Sequence, residues 1–212
     1  LVQDLVPGEL DALKRAYDAI AAAKGDAKIV VQTYFDQVGD AYETLANLPV
    51  DGIGLDLVRG RANLDLIARH GLPEDKVLVA GIVDGRNIWA NDLARSFDTL
   101  EGLTGTVSPD RIMVSTSCSL LHVPYDVENE PDLDDELKSW LAFAEQKLRE
   151  VTLLAAGLTH GRETIASELT ARTELLERAS TSPRRRNPAV RQRISSLPAD
   201  IAERGAPHAE RA

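Results

Sequence analysis

Four short apolar runs, each followed by a helical pattern, set the tightest limit on what this chain can fold into. They are Lys28-Ile29-Val30-Val31-Gln32-Thr33-Tyr34, Gly52-Ile53-Gly54-Leu55-Asp56-Leu57, Val77-Leu78-Val79-Ala80-Gly81-Ile82-Val83 and Arg111-Ile112-Met113-Val114-Ser115-Thr116. Runs that are apolar almost throughout and rich in β-branched residues predict strands buried on both faces, as in a parallel sheet. Residues 9–24, 39–47, 62–70 and 90–103 read as the helices between and after them. In the first, Leu10, Leu13, Ala16, Tyr17, Ile20 and Ala21 recur at intervals of three and four, and Gly25 stops the helix. Pro49 limits the second helix, and Gly71 with Pro73 beyond ends the third. Each crossover is then right-handed. The fold class is α/β. Two architectures satisfy it, an open doubly wound sheet or part of a (β/α)8 TIM barrel, and the tight rhythm of the first units favours the barrel.

The last third is different. A long amphipathic helix is predicted over 133–158, with Leu137, Trp140, Leu141, Ala144, Leu148, Val151, Leu154, Ala155 and Leu158 on one stripe. Asp132, Asp134, Asp135 and Glu136 crowd its first turn, where the helix dipole favours negative charge. Trp140 and Phe143 read as core packing rather than a ligand platform. A second helix is predicted over 161–179. Beyond it, residues 181–212 carry Pro183, Pro188, Pro198 and Pro207 and three consecutive arginines. They read as a linker or tail with at most one short helix near 189–196.

Charge narrows the partners. The net charge is −10, but 181–212 hold seven arginines against three acidic residues, so the remainder sits near −14. An acidic body repels phosphate backbones, which argues against nucleic acid. No apolar run reaches the length of a membrane span. The start, Leu1-Val2-Gln3-Asp4, has no basic segment before an apolar one, so it does not read as a secretory signal. It also lacks Met, as an excised or processed piece would. A single cysteine, Cys118, precludes an internal disulfide and suits a reducing, cytoplasmic setting.

In parallel α/β folds the working groups collect where strands end. Here that rim holds Tyr34, Phe35, Asp36, Asp56, Asp84, Arg86, Asn87, Ser117, Cys118, Ser119 and His122. The candidate substrate-groove rim is Asp84, Arg86, Asn87, Ser117, Ser119 and His122. The plain structural alternative is that Asp56, Asp84 and Arg86 bond one another and loop amides, merely closing the rim. Cys118 and His122 make at most half a zinc site, since zinc takes three or four protein ligands. No CxxC, HExxH, P-loop, GxGxxG or G-x-S-x-G motif occurs. No metal or catalytic residue is therefore assigned.

Three segments are specific: Ile82-Val83-Asp84-Gly85-Arg86-Asn87-Ile88-Trp89, Ser115-Thr116-Ser117-Cys118-Ser119-Leu120-Leu121-His122-Val123-Pro124-Tyr125, and Leu133-Asp134-Asp135-Glu136-Leu137-Lys138-Ser139-Trp140-Leu141-Ala142-Phe143-Ala144. Together, and with Asn187-Pro188-Ala189-Val190-Arg191-Gln192-Arg193, they resemble the amino-terminal domain of cobalamin-independent methionine synthase, the 5-methyltetrahydropteroyltriglutamate–homocysteine methyltransferase. The resemblance implies an enzyme of two (β/α)8 barrels related by duplication. Zinc, the homocysteine site and the proton donor belong to the second barrel, and further folate contacts come from the extreme amino terminus.

On that pattern this chain is the second half of the first barrel (1–158), a helical extension (159–180) and an interdomain linker (181–212). Where the catalytic barrel places its zinc ligands, this chain offers Gln32 and Tyr34, then Asp56, then Cys118. Only Cys118 keeps the ligand type, so the metal position reads as vestigial and the chain alone as inactive. The implied partners are the rest of the two-barrel enzyme and the folate polyglutamate. Self-association through open strand edges is a further expectation, because Ile29, Val31, Ile53, Leu55, Val77, Val79, Ile112 and Val114 read as an inward set that has lost packing partners. Two other classes remain open: a stand-alone flavodoxin-like module binding a ligand at the strand ends, and another barrel enzyme similar to uroporphyrinogen decarboxylase.

Overall fold

A computed structural model of the chain describes residues 8–201. The four runs form strands β1 (Val30–Gln32), β2 (Gly52–Asp56), β3 (Val77–Val83) and β4 (Ile112–Thr116). All neighbours are parallel and the order is β1-β2-β3-β4. Helices α1 (Glu9–Ala23), α2 (Tyr42–Ala46), α3 (Asn63–His70) and α4 (Leu93–Leu103) alternate with the strands. Local chemistry sets their ends: the Asp92 carboxylate accepts from Arg95 N at the start of α4, and Gly71 takes φ 68° where α3 stops.

A strictly sequential parallel order is that of successive βα units in a barrel. It lacks the strand-order reversal at which an open doubly wound sheet binds its ligand, so the flavodoxin-like alternative does not hold. The register shows which face meets the helices. Val31, Ile53, Leu55, Leu78, Ala80, Ile82 and Ile112 are buried in one cluster with Tyr42, Leu45, Ile67, Phe97 and Leu100. The opposite face carries Val30, Gln32, Gly52, Gly54, Val77, Val79, Gly81 and Met113 in register across the strands. Val30 and Met113 there are 44% and 56% exposed. The sheet is therefore covered on one side, and the other is the narrow, glycine-rich surface that lines a barrel.

This corrects the inward set read from sequence. Of its eight residues, only Val77 and Val79 lie on the uncovered face. Val31, Ile53, Leu55 and Ile112 pack under the helices, with Ile29 and Val114 partly buried against them. Strands apolar on both faces offer no alternation from which to read orientation. The shift in pairing between Gly81 and Val83 also brings Val83 into the helix-covered core.

The long helix expected over 133–158 is broken. Helix α5 (Asp135–Ser139) ends on Trp140, still in helical conformation, residues 141–143 leave the helix, and α6 (Ala144–His160) begins. The interruption pays back in hydrogen bonds to the β3–α4 loop: Ala90 N donates to Trp140 O at 2.9 Å, Ala142 N donates to Ile88 O at 2.8 Å, and Trp89 bridges Leu141 antiparallel. Trp140 and Phe143 are buried as expected, but Leu148 is half exposed. Helix α7 (Ala166–Thr181) follows a 3₁₀ turn.

Residues Leu1–Leu175 form one compact unit and Leu176–Ala212 another. The second contains the end of α7 and α8 (Pro188–Ser195), whose first turn is capped by Asn187 Oδ1 accepting from Ala189 N and Val190 N. Of the tail predicted over 181–212, residues 202–212 lie outside the described residues, as does the start, 1–7. No helix among the described residues is long and apolar enough to cross a membrane.

Away from the rim, Asp51 ties α1 to the sheet. It accepts from Lys24 Nζ at 2.6 Å, Lys28 Nζ at 2.9 Å and Ile29 N at 2.9 Å. Hydrogen bonds from these partners, Lys24 first, hold its carboxyl far below the usual carboxylate range. A depressed folded-state pKa stabilises above the unfolded value of about 4 and ceases to do so as pH falls through the folded one. In thermal melts, Asp51→Asn is therefore expected to lower Tm at pH 7, with the gap from the wild-type chain closing as pH falls below about 4.

Candidate functional site

The carboxyl ends of β1, β3 and β4 bring the rim residues together, and one buried carboxylate organises them. Asp56, fully buried at the end of β2, accepts from Phe35 N at 3.0 Å through Oδ2, and from Val58 N at 2.9 Å and Arg59 N at 2.8 Å through Oδ1. Phe35 sits at φ 77°, the only positive value outside glycine among the described residues. That conformation is strained for a bulky side chain. The amide bond to Asp56 holds it and turns the ring onto the rim. Tyr34 lies 5.8 Å from this ring, His122 meets it edge-on at 5.6 Å, and the Arg86 guanidinium carbon stands 4.8 Å over its centre.

The six predicted rim residues divide sharply. Asp84 accepts from Arg86 N at 2.8 Å and from Asn87 Nδ2 at 2.6 Å. Asn87 Oδ1 accepts from Trp89 N at 2.9 Å, so both ends of its amide are engaged. Ser117 Oγ is buried and accepts from Gly85 N at 3.2 Å, and Ser119 Oγ accepts from Leu121 N at 3.3 Å. These four shape the loops. Arg86 and His122 are exposed, and among the described residues neither side chain makes a hydrogen bond or ion pair. The structural alternative is thus half right. Asp56 and Asp84 do bond loop amides, but Arg86 stacks on Phe35 instead of pairing with either acid.

The donor set at the four positions compared with zinc ligands is unsuited to a metal. Asp56 is saturated by amides. Gln32 lies flat over Gly54, its Oε1 at 1.9 Å from where a Cβ on that glycine would stand. Cys118 is buried, and burial pushes its thiol up, partly offset by the Ser117 hydrogen bond, with the Asp56 and Asp84 charges raising it further. Zinc needs the thiolate. Gly85 packs so closely on Cys118 that an added Cβ would meet its carbonyl oxygen at 2.7 Å, which accounts for a small side chain and a glycine at this contact. No group of three or more His, Cys, Asp or Glu able to hold a metal occurs among the described residues.

Sequence reasoning missed the support beneath the rim. Lys147 is fully buried and Glu150 is 4% exposed, both on α6. Lys147 Nζ donates to Trp89 O at 3.2 Å. Glu150 Oε1 accepts from Asn91 N at 2.9 Å and from Arg172 Nη1 at 2.5 Å, and Arg172 Nη1 also donates to Asn91 O at 3.2 Å. The loop carrying Arg86 is thereby pinned from behind by α6 and α7. Burial pushes the Lys147 ammonium down, while the nearby Glu150 and Asp84 carboxylates pull it back up. The spacing Lys147, Glu150, Leu154, Gly157 marks one helical face, a signal present in the sequence but masked by the charges it carries.

With this geometry in hand, comparison with known proteins is specific. Residues 1–108 match the family model described as the cobalamin-independent synthase, N-terminal domain. Proteins named 5-methyltetrahydropteroyltriglutamate–homocysteine methyltransferase are similar over nearly the whole chain. The one from Parvibaculum lavamentivorans is 46% identical over 212 residues, covering 100% of this chain and 28% of that protein. The Streptomyces coelicolor protein is 48% identical, covering 99% and 27%. A plant relative, from Mesembryanthemum crystallinum, is 47% identical, covering 93% and 26%. The chain thus spans little more than a quarter of the length of the curated relatives it matches.

Two outcomes follow from the site. Asp56→Ala strands three amides and frees Phe35, so a loss of roughly 3 kcal/mol or more in chemical denaturation is expected, from hydrogen bonds to charge worth about 1.5–3 kcal/mol each. Cys118 in the native chain should react with iodoacetamide at neutral pH far more slowly than in urea-unfolded chain; equal rates would contradict its burial.

Proposed function

Because the chain belongs to the cobalamin-independent synthase family through that family's amino-terminal domain, we propose that it forms the second half of the scaffold barrel of a methyltransferase. The reaction is transfer of a methyl group from 5-methyltetrahydropteroyltriglutamate to homocysteine, giving methionine in the cytoplasm. Residues 1–158 are the half barrel, 159–180 the helical extension and 181–212 the connector to the catalytic barrel. The observation that carries this reading is the 46% identity over all 212 residues to a protein named for that activity.

The chemistry explains the division of labour. A thiol attacks poorly while protonated, and a zinc ion held elsewhere in the enzyme supplies the thiolate form. The methyl donor leaves as an amine and needs a proton as it departs. This chain's own groups do neither: its cysteine is buried and protonated, and its rim acids are engaged by amides. Its part is to frame the groove that receives the folate, with Asp84, Asn87, Ser117 and Ser119 shaping loops that present Arg86 and His122. The uncovered face and the free edges of β1 and β4 suit the rest of the barrel as partner, and in its absence a second copy of the chain.

The test is reassembly. The 212-residue chain alone should give no methionine from homocysteine and the methylated triglutamate donor. Co-expressed with the complementary segments of the Streptomyces coelicolor relative, it should form a complex that does. Turnover by the chain alone, or no complex with those segments, would refute the scaffold reading.

A further inference from the structure

We propose that Arg86, seated on the Phe35 ring beside His122, is a carboxylate fork that holds the glutamate tail of the methyl donor. The identity of the ligand rests on the methyltransferase reading; the fork itself rests on geometry. A guanidinium is planar, and stacking one face on an aromatic ring leaves its N–H edge turned outward. The Arg86 guanidinium carbon stands 4.8 Å over the centre of the Phe35 ring, and the side chain donates no hydrogen bond among the described residues. Its nearest acid in sequence, Asp84, is already engaged by Arg86 N and Asn87. The support is held firmly: Phe35 is fixed in a strained backbone conformation by Asp56, and the loop bearing Arg86 is pinned by Lys147, Glu150 and Arg172. An orientation that costs backbone strain and is reinforced from two sides is what a binding platform requires.

The ligand follows from the charge. The chain carries −10 overall, so an anion is accepted only where cations are local and unpaired. One fork with one adjacent imidazole matches a single carboxylate in shape and charge. A dianionic phosphate would call for more positive charge than the cluster supplies. The donor named in the relatives bears a triglutamate, a chain of such carboxylates. Tyr34, 38% exposed at the edge of the cluster, offers a flat surface beside the fork.

Isothermal titration of the 212-residue chain and of the reassembled complex tests this. The probes are γ-linked triglutamate, 5-methyltetrahydropteroyltriglutamate, its monoglutamate form and inorganic phosphate. Both triglutamates should bind more tightly than the monoglutamate and phosphate. Arg86→Ala should weaken triglutamate binding roughly 10- to 100-fold, as loss of a charge-assisted pair predicts. Arg86→Lys should recover only part, because it restores charge without the fork. Melting curves for both variants should match wild type, since among the described residues the Arg86 side chain makes no hydrogen bond. Unchanged triglutamate binding by Arg86→Ala, phosphate binding as tightly as triglutamate, or no binding of any probe to chain or complex would overturn the fork. Binding of bare triglutamate with no gain from the pterin would instead leave the fork standing and count against the folate reading. Tight binding of the pteroyl compounds that ignores Arg86 would do the reverse.

Discussion

A single buried carboxylate at the end of the second strand organises the working rim. Asp56 forms no ion pair among the described residues; its charge is spread over three backbone amides, one from the β1 loop and two from its own. Its backbone carbonyl also accepts from Asn63 Nδ2, whose Oδ1 takes Val38 N. One acid and one amide side chain thus satisfy the backbone of the turns after β1 and β2. Buried polar backbone left unpaired is expensive, so these turns have little freedom, and Phe35 is carried into a conformation it would not choose alone.

The sheet is asymmetric: its two faces differ in what covers them and in the size of the residues they carry. One face is sealed by helices through large aliphatic residues. The other is lined by glycines and by Gln32, with Val30 and Met113 largely exposed. Small residues are what a barrel interior tolerates, because side chains from all strands converge there. Among the described residues, β1 and β4 each keep one edge without a strand neighbour.

Behind the rim, α6 and α7 deliver ionised groups into a largely dry interface. The Glu150–Arg172 pair and Lys147 bond the backbone of Trp89 and Asn91, and Glu150 Oε2 is buried with no hydrogen-bond partner among the described residues. Such groups are retained for geometry more readily than for stability, since desolvating them costs about what their attraction returns. Their effect is to fix the β3–α4 loop by its backbone at Trp89 and Asn91, which leaves the Arg86 side chain outside that bonding.

Much of this was legible in the chain itself. The number, order and parallel character of the strands follow from four β-branched runs spaced by helical patterns, because those periodicities are local properties of the backbone. The rim residues follow from their place just beyond each strand. Tertiary structure decided what local pattern cannot encode. A strand such as β3, apolar on both sides, gave no hint of which face the helices cover; only β2, with glycine alternating against Ile53 and Leu55, carried that signal. The helix predicted over 133–158 breaks at Trp140 because the backbone of Ile88 and Ala90, about fifty residues away in sequence, bonds it there. The choice between Asp84 and Phe35 as the partner of Arg86 depended on a strained φ that only long-range hydrogen bonding sustains.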